Sequence, residues 1–472
     1  MPASELSEPG RAGPGVQLPR TAGGGVRAVL ADLFPAPDEP ARRAGPARWA
    51  FPLVQVTAVA LGAVVMLARL GGRPAWDTIW AEDLGIYLPA ALAHPWHLLQ
   101  SYAGYLQLVP RLIGQIAALL PIRYAAAGFA VSGALVASAC GLFAYYASAG
   151  HVSSRWFRAL LGVSVVLLPV AQLEVADNGV DSFWYLLVAL FWAALWRPRT
   201  RAGAGAAAVA AFAAAASSSV ALLFAPLFVA RAIVVPRRLR EHAATAGWAL
   251  GCLLQSAVIL TSHMSRLVPH DPLLVVRYYA YEVLLPALGW HISWHLRDVA
   301  GRQGAAALTG GLIIVVLGAA VVTQPGRCRV FVATAVATGL GLTAVTALSW
   351  GGAVQRITVA AEPAARYSTV PILLLDAALI VTADAYARRW WPRPRAVAAV
   401  AALAIVLAAG WATDFRYPAA RVAGRASAWE LTASAWLRRC EHTPTATITV
   451  TFPDYWGPEK LSNTFSCSRL HR

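Results

Sequence analysis

Residues 80–90, WAEDLGIYLPA, put two adjacent carboxylates, Glu82 and Asp83, shortly after an apolar run. A carboxylate held against a hydroxyl can take its proton as a general base, which is worth about 10²–10⁴-fold in rate. The same pair can also cap a following helix and complement its dipole, and residue type leaves both roles open. A second acidic set follows in EVADNGVDSFW, with Glu174, Asp177 and Asp181 inside eight residues. Such spacing suits either solvated turns or a divalent cation such as Mg²⁺ or Mn²⁺, which prefers oxygen ligands. His94 and His97, three apart in AHPWHLLQS, fit interfacial packing or ligand contact. Asp376 stands inside an apolar run. A charge there costs about 2.5–3.5 kcal/mol on insertion scales, so Asp376 either pairs with a neighbouring helix or serves a function.

Other chemistries lack their residues. There is no CxxC or HExxH pattern, no Walker loop and no GxGxxG unit after a strand. That removes most support for ATP-driven transport and dinucleotide chemistry. The net charge of +16 comes almost wholly from arginine, Lys460 being the one lysine. These arginines sit in short loops rather than in a basic stripe with interleaved aromatics, so nucleic acid is not an expected partner.

The elements that must position these residues are apolar helices. The chain of 472 residues is 58% hydrophobic and 13% charged, against about 25% charged in soluble domains. The expected fold is an all-α polytopic membrane protein in a lipid bilayer, most naturally the cell membrane. Eleven apolar windows are placed at 49–70, 124–148, 159–173, 180–196, 203–217, 219–235, 244–263, 303–323, 329–349, 368–387 and 396–413. The 203–235 stretch is divided at Ser217–Ser219 because Arg197, Arg199 and Arg201 precede it and Arg237, Arg238 and Arg240 follow. Both flanks want the cytoplasm, so an even number of crossings lies between them.

With that division, acids such as Asp77, Glu82, Asp83, Glu174, Asp177, Asp271, Glu282 and Glu362 fall on the opposite, outer side. Residues 1–48 read as a disordered cytoplasmic tail with no signal peptide ahead of the first apolar run, and 49–413 as the transmembrane body. Residues 414–472 form an extracytoplasmic segment with a helix over 428–439 and the strand-like TATITVTF. Two stretches of the first outer loop, 82–93 and 103–120, suit interfacial helices, and 264–302 can dip into the membrane without crossing. Cys440 and Cys467 share the exported segment, where oxidising conditions favour a disulfide.

The segment WAEDLGIYLPAALAHPWHLLQSYAGYLQLVPRLIG resembles the first extracytoplasmic loop of the GT-C superfamily, membrane glycosyltransferases that use polyprenyl-phosphate-linked sugars. It is similar to a bacterial branch in which an acidic pair precedes Tyr-Ala-Gly-Tyr…Val-Pro-Arg, here Tyr102–Tyr105 and Val109–Arg111. EVADNGVDSFWYLL looks like that branch's second loop, and ARYSTVPILLL like its late span opening on Arg-Tyr. The chain departs from the pattern at Leu84, where Gly is expected, and at Asp181, where Asn is expected.

The resemblance implies a GT-C-like fold of about eleven transmembrane helices and an inverting transfer of a hexosyl or pentosyl group. The donor is a polyprenyl-phosphate sugar, the acceptor a cell-envelope glycan or lipid, and the site lies on the extracytoplasmic face. It implies that Asp83, ahead of Glu82, is the catalytic base, and that Arg366 and Arg111 hold phosphate. Tyr105, Asp177 and Asp181 join the substrate-binding set, with or without a divalent cation. Trp184, with Trp76 and Trp80, can stack on sugar faces. The competing expectation is a transporter or flippase of a lipid-linked glycan, which calls for repeated halves and broken helices at mid-depth. The polar residues of this chain instead gather in loops.

Overall fold

The computed structural model describes residues 25–35, 47–173, 175–262, 272–349, 365–390, 392–418, 425–453 and 460–470. Glu174, Asp271 and Glu362 lie outside the described residues. The helices of the body are α1 Val26–Leu33, α2 Ala47–Leu67, α3 Leu88–Ala93, α4 Leu108–Leu119, α5 Ala125–Ala147, α6 Arg155–Leu167, α7 Ser182–Leu195 and α8 Arg201–Ala215. They continue with α9 Ala225–Val234, α10 Ala243–Thr261, α11 Leu273–Tyr278, α12 Trp290–Thr323, α13 Gly326–Ser349, α14 Ala365–Trp390 and α15 Pro394–Thr413. The C-terminal segment adds α16 Trp429–His442 and α17 Cys467–Leu470. The short strands are β1 Leu70–Gly71, β2 Thr78–Trp80, β3 Ser101–Tyr102, β4 Tyr105–Leu106, β5 Tyr417–Pro418, β6 Arg425–Ser427, β7 Thr447–Pro453 and β8 Lys460–Ser466.

This is a helical multi-pass membrane protein. Among the described residues, six helical segments are long and apolar enough to cross a bilayer: 122–150, 243–261, 290–323, 326–349, 366–390 and 394–413. Of the other windows, 49–70 holds α2 with 21 residues, and the rest hold shorter helices, among them α7 with 14 residues and α8 with 15. At 1.5 Å per residue such a helix covers only about 20 Å of a ~30 Å core. Every residue of α7 is buried, so this helix sits inside the bundle with α14 beside it. Small residues let the helices approach closely, as in other membrane bundles. A Cβ at Gly247 of α10 would come within 2.2 Å of the Ala208 carbonyl oxygen of α8.

The break at Ser217 and Ser218 is real, and the chain turns back there. At one end of α8, the Leu108 N–H donates to the Ala216 carbonyl at 3.1 Å. At the other end the two flanks meet: Arg197 pairs with Glu241 at 3.0 Å, Arg240 donates to the Arg199 carbonyl, and Arg231 donates to that of Ala194. The chain over 203–235 is therefore a hairpin with both feet at the arginine-rich end.

Several sequence expectations need correction. Within the tail read as disordered, Val26–Leu33 is a helix, because Leu33 and Phe34 bury against the body. The second interfacial helix begins at Leu108 rather than 103. Ahead of it β3 and β4 pair across a turn with Ala103 and Gly104 both at positive φ, a geometry that ends any helix. The first stretch opens as a π-helical turn, Asp83–Tyr87, before α3. Gly301 (φ 68°) divides α12, so 290–300 is set apart from the span that follows, close to the expected boundary at 303.

The C-terminal segment is not a free appendage. β5 pairs with β1, β6 pairs with β2, and the Trp429 indole donates to the Ile122 carbonyl at 2.9 Å. Trp429, Ala433, Cys440, Phe465 and Cys467 share one apolar core with Trp80, Leu84, Tyr87 and Ile113 of the first loop. Cys440 and Cys467 form the expected disulfide.

Candidate active site

Three chain segments converge on Arg366, at the start of α14. Its Nη1 lies 3.5 Å from Glu82 Oε1 and 4.0 Å from Asp181 Oδ1. The Arg366 and Glu82 side chains are each 12% exposed, so the pair is sheltered yet reachable. The side chains of Glu82 and Asp83 diverge, as adjacent helical positions must. While Glu82 reaches Arg366, both oxygens of Asp83 accept backbone hydrogen bonds from Gly179 and Val180, each at 3.0 Å. Asp83 is 1% exposed, and its contacts make it the clasp between the first and second acidic loops.

The second loop is shaped by a residue the sequence reading passed over. Asn178 is fully buried; its Oδ1 accepts from Val180 N at 2.9 Å and Asp181 N at 3.3 Å, and its Nδ2 donates to Asp181 Oδ2 at 2.9 Å. Asn-Gly between acids is a turn signal, and that was the available clue. Asp181 also accepts from the Trp184 indole at 3.2 Å. Trp184 stands edge-on to Tyr367, with ring centroids 5.7 Å apart, and is buried, so it orients Asp181 rather than offering a stacking face. Trp80 is buried as well, whereas Trp76 is exposed.

Tyr105 belongs to the same neighbourhood. Burial pushes its phenol well above the usual range; Tyr367 and Asp181 add to the shift and Arg366 opposes it, so Tyr105 remains a neutral donor. The second long loop reaches the site too, through a 3.2 Å contact between the hydroxyls of Tyr278 and Ser368.

Two expected members stand elsewhere. Arg111 donates to the Gln100 and Ser101 carbonyls and lies over the Tyr87 ring, so it holds the 100–106 turn instead of facing Arg366. Asp177 is buried with φ 55° and lies within electrostatic range of the buried Arg69. His94 and His97 stack on each other at 5.5 Å on an exposed turn. Among the described residues, no group of three or more His, Cys, Asp or Glu side chains is placed to hold a metal. The space between Glu82 and Asp181 is bridged by the Arg366 guanidinium.

This arrangement can bind an anion at Arg366 and accept a proton at Glu82. No protein-family model and no curated protein matches the chain.

Proposed function

We propose that the protein is a membrane glycosyltransferase that transfers a sugar from a polyprenyl-phosphate donor to a cell-envelope glycan or lipid, on the extracytoplasmic face. The observation that carries this reading is the meeting of Glu82, Asp181 and Arg366 from three separate segments. An arginine fork matches phosphate oxygens, and a neighbouring carboxylate supplies the base that a sugar hydroxyl needs. Eleven crossings in a GT-C-like arrangement belong to the same proposal, the shorter helices completing their passage through the turns that flank them.

In this mechanism Glu82 takes the proton of the acceptor hydroxyl as its oxygen attacks the anomeric carbon. The bond from that carbon to the phosphate oxygen breaks, and the lipid phosphate leaves with the electron pair, its charge met by Arg366. A single displacement inverts the anomeric configuration. In this proposal Glu82 rather than Asp83 is the base, the reverse of the order the sequence suggested; the two backbone hydrogen bonds that Asp83 accepts from the second loop support that choice.

The test is reconstitution of the purified protein in vesicles with a panel of polyprenyl-phosphate sugars and envelope acceptors. The expected result is release of free polyprenyl phosphate together with glycosylated acceptor, lost in Arg366→Ala. Movement of a lipid-linked glycan between leaflets without phosphate release would replace the enzyme with a transporter.

A further inference from the structure

At the arginine-rich end of the bundle lies a cavity of about 780 Å³. That volume falls within the ~300–1,000 Å³ of small-molecule sites. It is some 20 Å from the candidate active site, because α7 runs from Asp181 at one end to Trp196 and Arg197 at the other. Its walls come from α2 (Pro52, Gln55), the end of α5 (Phe143, Tyr146), α6 (Arg158) and the Trp196–Thr200 connection.

Charge in this cavity is one-sided. The described lining holds Arg158, Arg197 and Arg199 and no carboxylate. Arg197 is already paired with Glu241. Arg158 and Arg199 have no ion pair among the described residues, and the buried Nε of Arg158 has no hydrogen-bond partner there. The Arg158 guanidinium rests on the Tyr145 ring at 5.2 Å, which fixes its direction without neutralising it. His151, also in the lining, is pushed down to about 3 by burial first and by Arg327 second, so it adds no charge at neutral pH.

The other walls are greasy. Phe143 and Trp196 meet edge to face at 5.5 Å and Pro52 of α2 lines the cavity, while Leu53, Val54 and Val56 continue an apolar surface on the exposed side of α2 outside the lining. Trp156, 72% exposed beside Arg155, marks the same level as a membrane–water boundary. A ligand here meets unneutralised guanidinium groups at its head and aromatic and aliphatic surface along its body.

We propose that this cavity binds an anionic phospholipid, its headgroup phosphate on Arg158 and Arg199 and its chain against Phe143, Tyr146 and α2. Basic pockets between helices at the cytoplasmic boundary favour such headgroups. The site is independent of the glycosyltransferase reading and stands if that reading fails.

The full chain, stripped of lipid in detergent and titrated under native mass spectrometry, tests it with three probes: phosphatidylglycerol, phosphatidylcholine and inorganic phosphate. Phosphatidylglycerol is expected to be retained about tenfold more tightly than phosphatidylcholine. Arg158→Gln and Arg199→Gln should each weaken it about fivefold, the effect of roughly one surface arginine. Arg155→Gln, on the same helix but outside the lining, should leave it unchanged. Ala206→Trp plugs the cavity without altering charge and should abolish the preference, with melting temperature confirming that each variant is folded. Equal retention of the two lipids, or a double arginine variant that binds like the wild type, overturns the proposal. Competition by inorganic phosphate at the same concentration as the lipid would assign the cavity to a soluble anion instead.

Discussion

Glu82 and Asp83 are neighbours in sequence with different surroundings, and that difference is testable. Glu82→Gln keeps the shape and removes the base, so turnover should fall about 10²–10⁴-fold with donor affinity little changed. Asp83→Asn turns an acceptor into an amide that must face one of the Gly179 and Val180 N–H groups with its own NH₂. An unmet buried donor costs about 1–3 kcal/mol, so this variant should melt earlier and lose activity through loop disorder. If Asp83→Asn melts like the wild type while its turnover collapses, Asp83 is the base and Glu82 is not. Gly179 provides a second check, because a Cβ there would lie 2.6 Å from Phe129, 3.0 Å from Ile113 and 3.1 Å from Asp83. Gly179→Ala should therefore cost about 1–3 kcal/mol, read as a lower melting temperature. The acids stood out as charges beside apolar runs, and Arg366 came from the resemblance of ARYSTVPILLL to a late span. Asn178 was not, since its work is done through backbone N–H groups that leave no periodicity.

Among the elements, hydropathy placed the helices of the body well, and even the turn at Ser217 followed from arginines on both flanks. What the sequence did not show is the docking of the C-terminal segment on the first loop. The paired strands β2 and β6 have three residues each and come from opposite parts of the chain, so no local pattern announces them. That docking has a consequence for the site, because β8 packs against the π-helical turn that carries Asp83. Trp429→Ala removes a fully buried indole and its bond to Ile122, a loss of about 3–5 kcal/mol for a core tryptophan. Limited proteolysis should then cut the C-terminal segment faster, and transfer activity should fall in parallel. Cys440→Ser should act in the same direction by about 2–4 kcal/mol, the usual worth of a bridge closing a loop of this size. Unchanged proteolysis in both variants would show that the docking contributes little to holding the first loop.

At the scale of the whole molecule the chain has two unlike ends. One gathers Glu82, Asp83, Asp181 and Arg366 near a disulfide-closed segment; the other gathers arginine-rich connections tied by the Arg197–Glu241 pair and by Asp384, which accepts from the Ser153 and Ser154 N–H groups. The short helices α7, α8 and α9 matter most to the topology, because a hairpin at 203–235 keeps every later helix in its assigned direction. Two single cysteines test this directly: Leu431→Cys on the exposed face of α16 and Arg201→Cys at the foot of α8. The background needs only Cys140, Cys252 and Cys328 replaced, since Cys440 and Cys467 are bonded to each other and should not react. In intact cells an impermeant maleimide should label Leu431→Cys at once and Arg201→Cys only after the membrane is opened. The reverse pattern would turn the whole protein over and place the carboxylate–arginine cluster in the cytoplasm, away from any donor presented at the outer leaflet. Labelling of both from outside would put the two ends on one side, which the seven crossings proposed between Arg201 and Leu431 forbid.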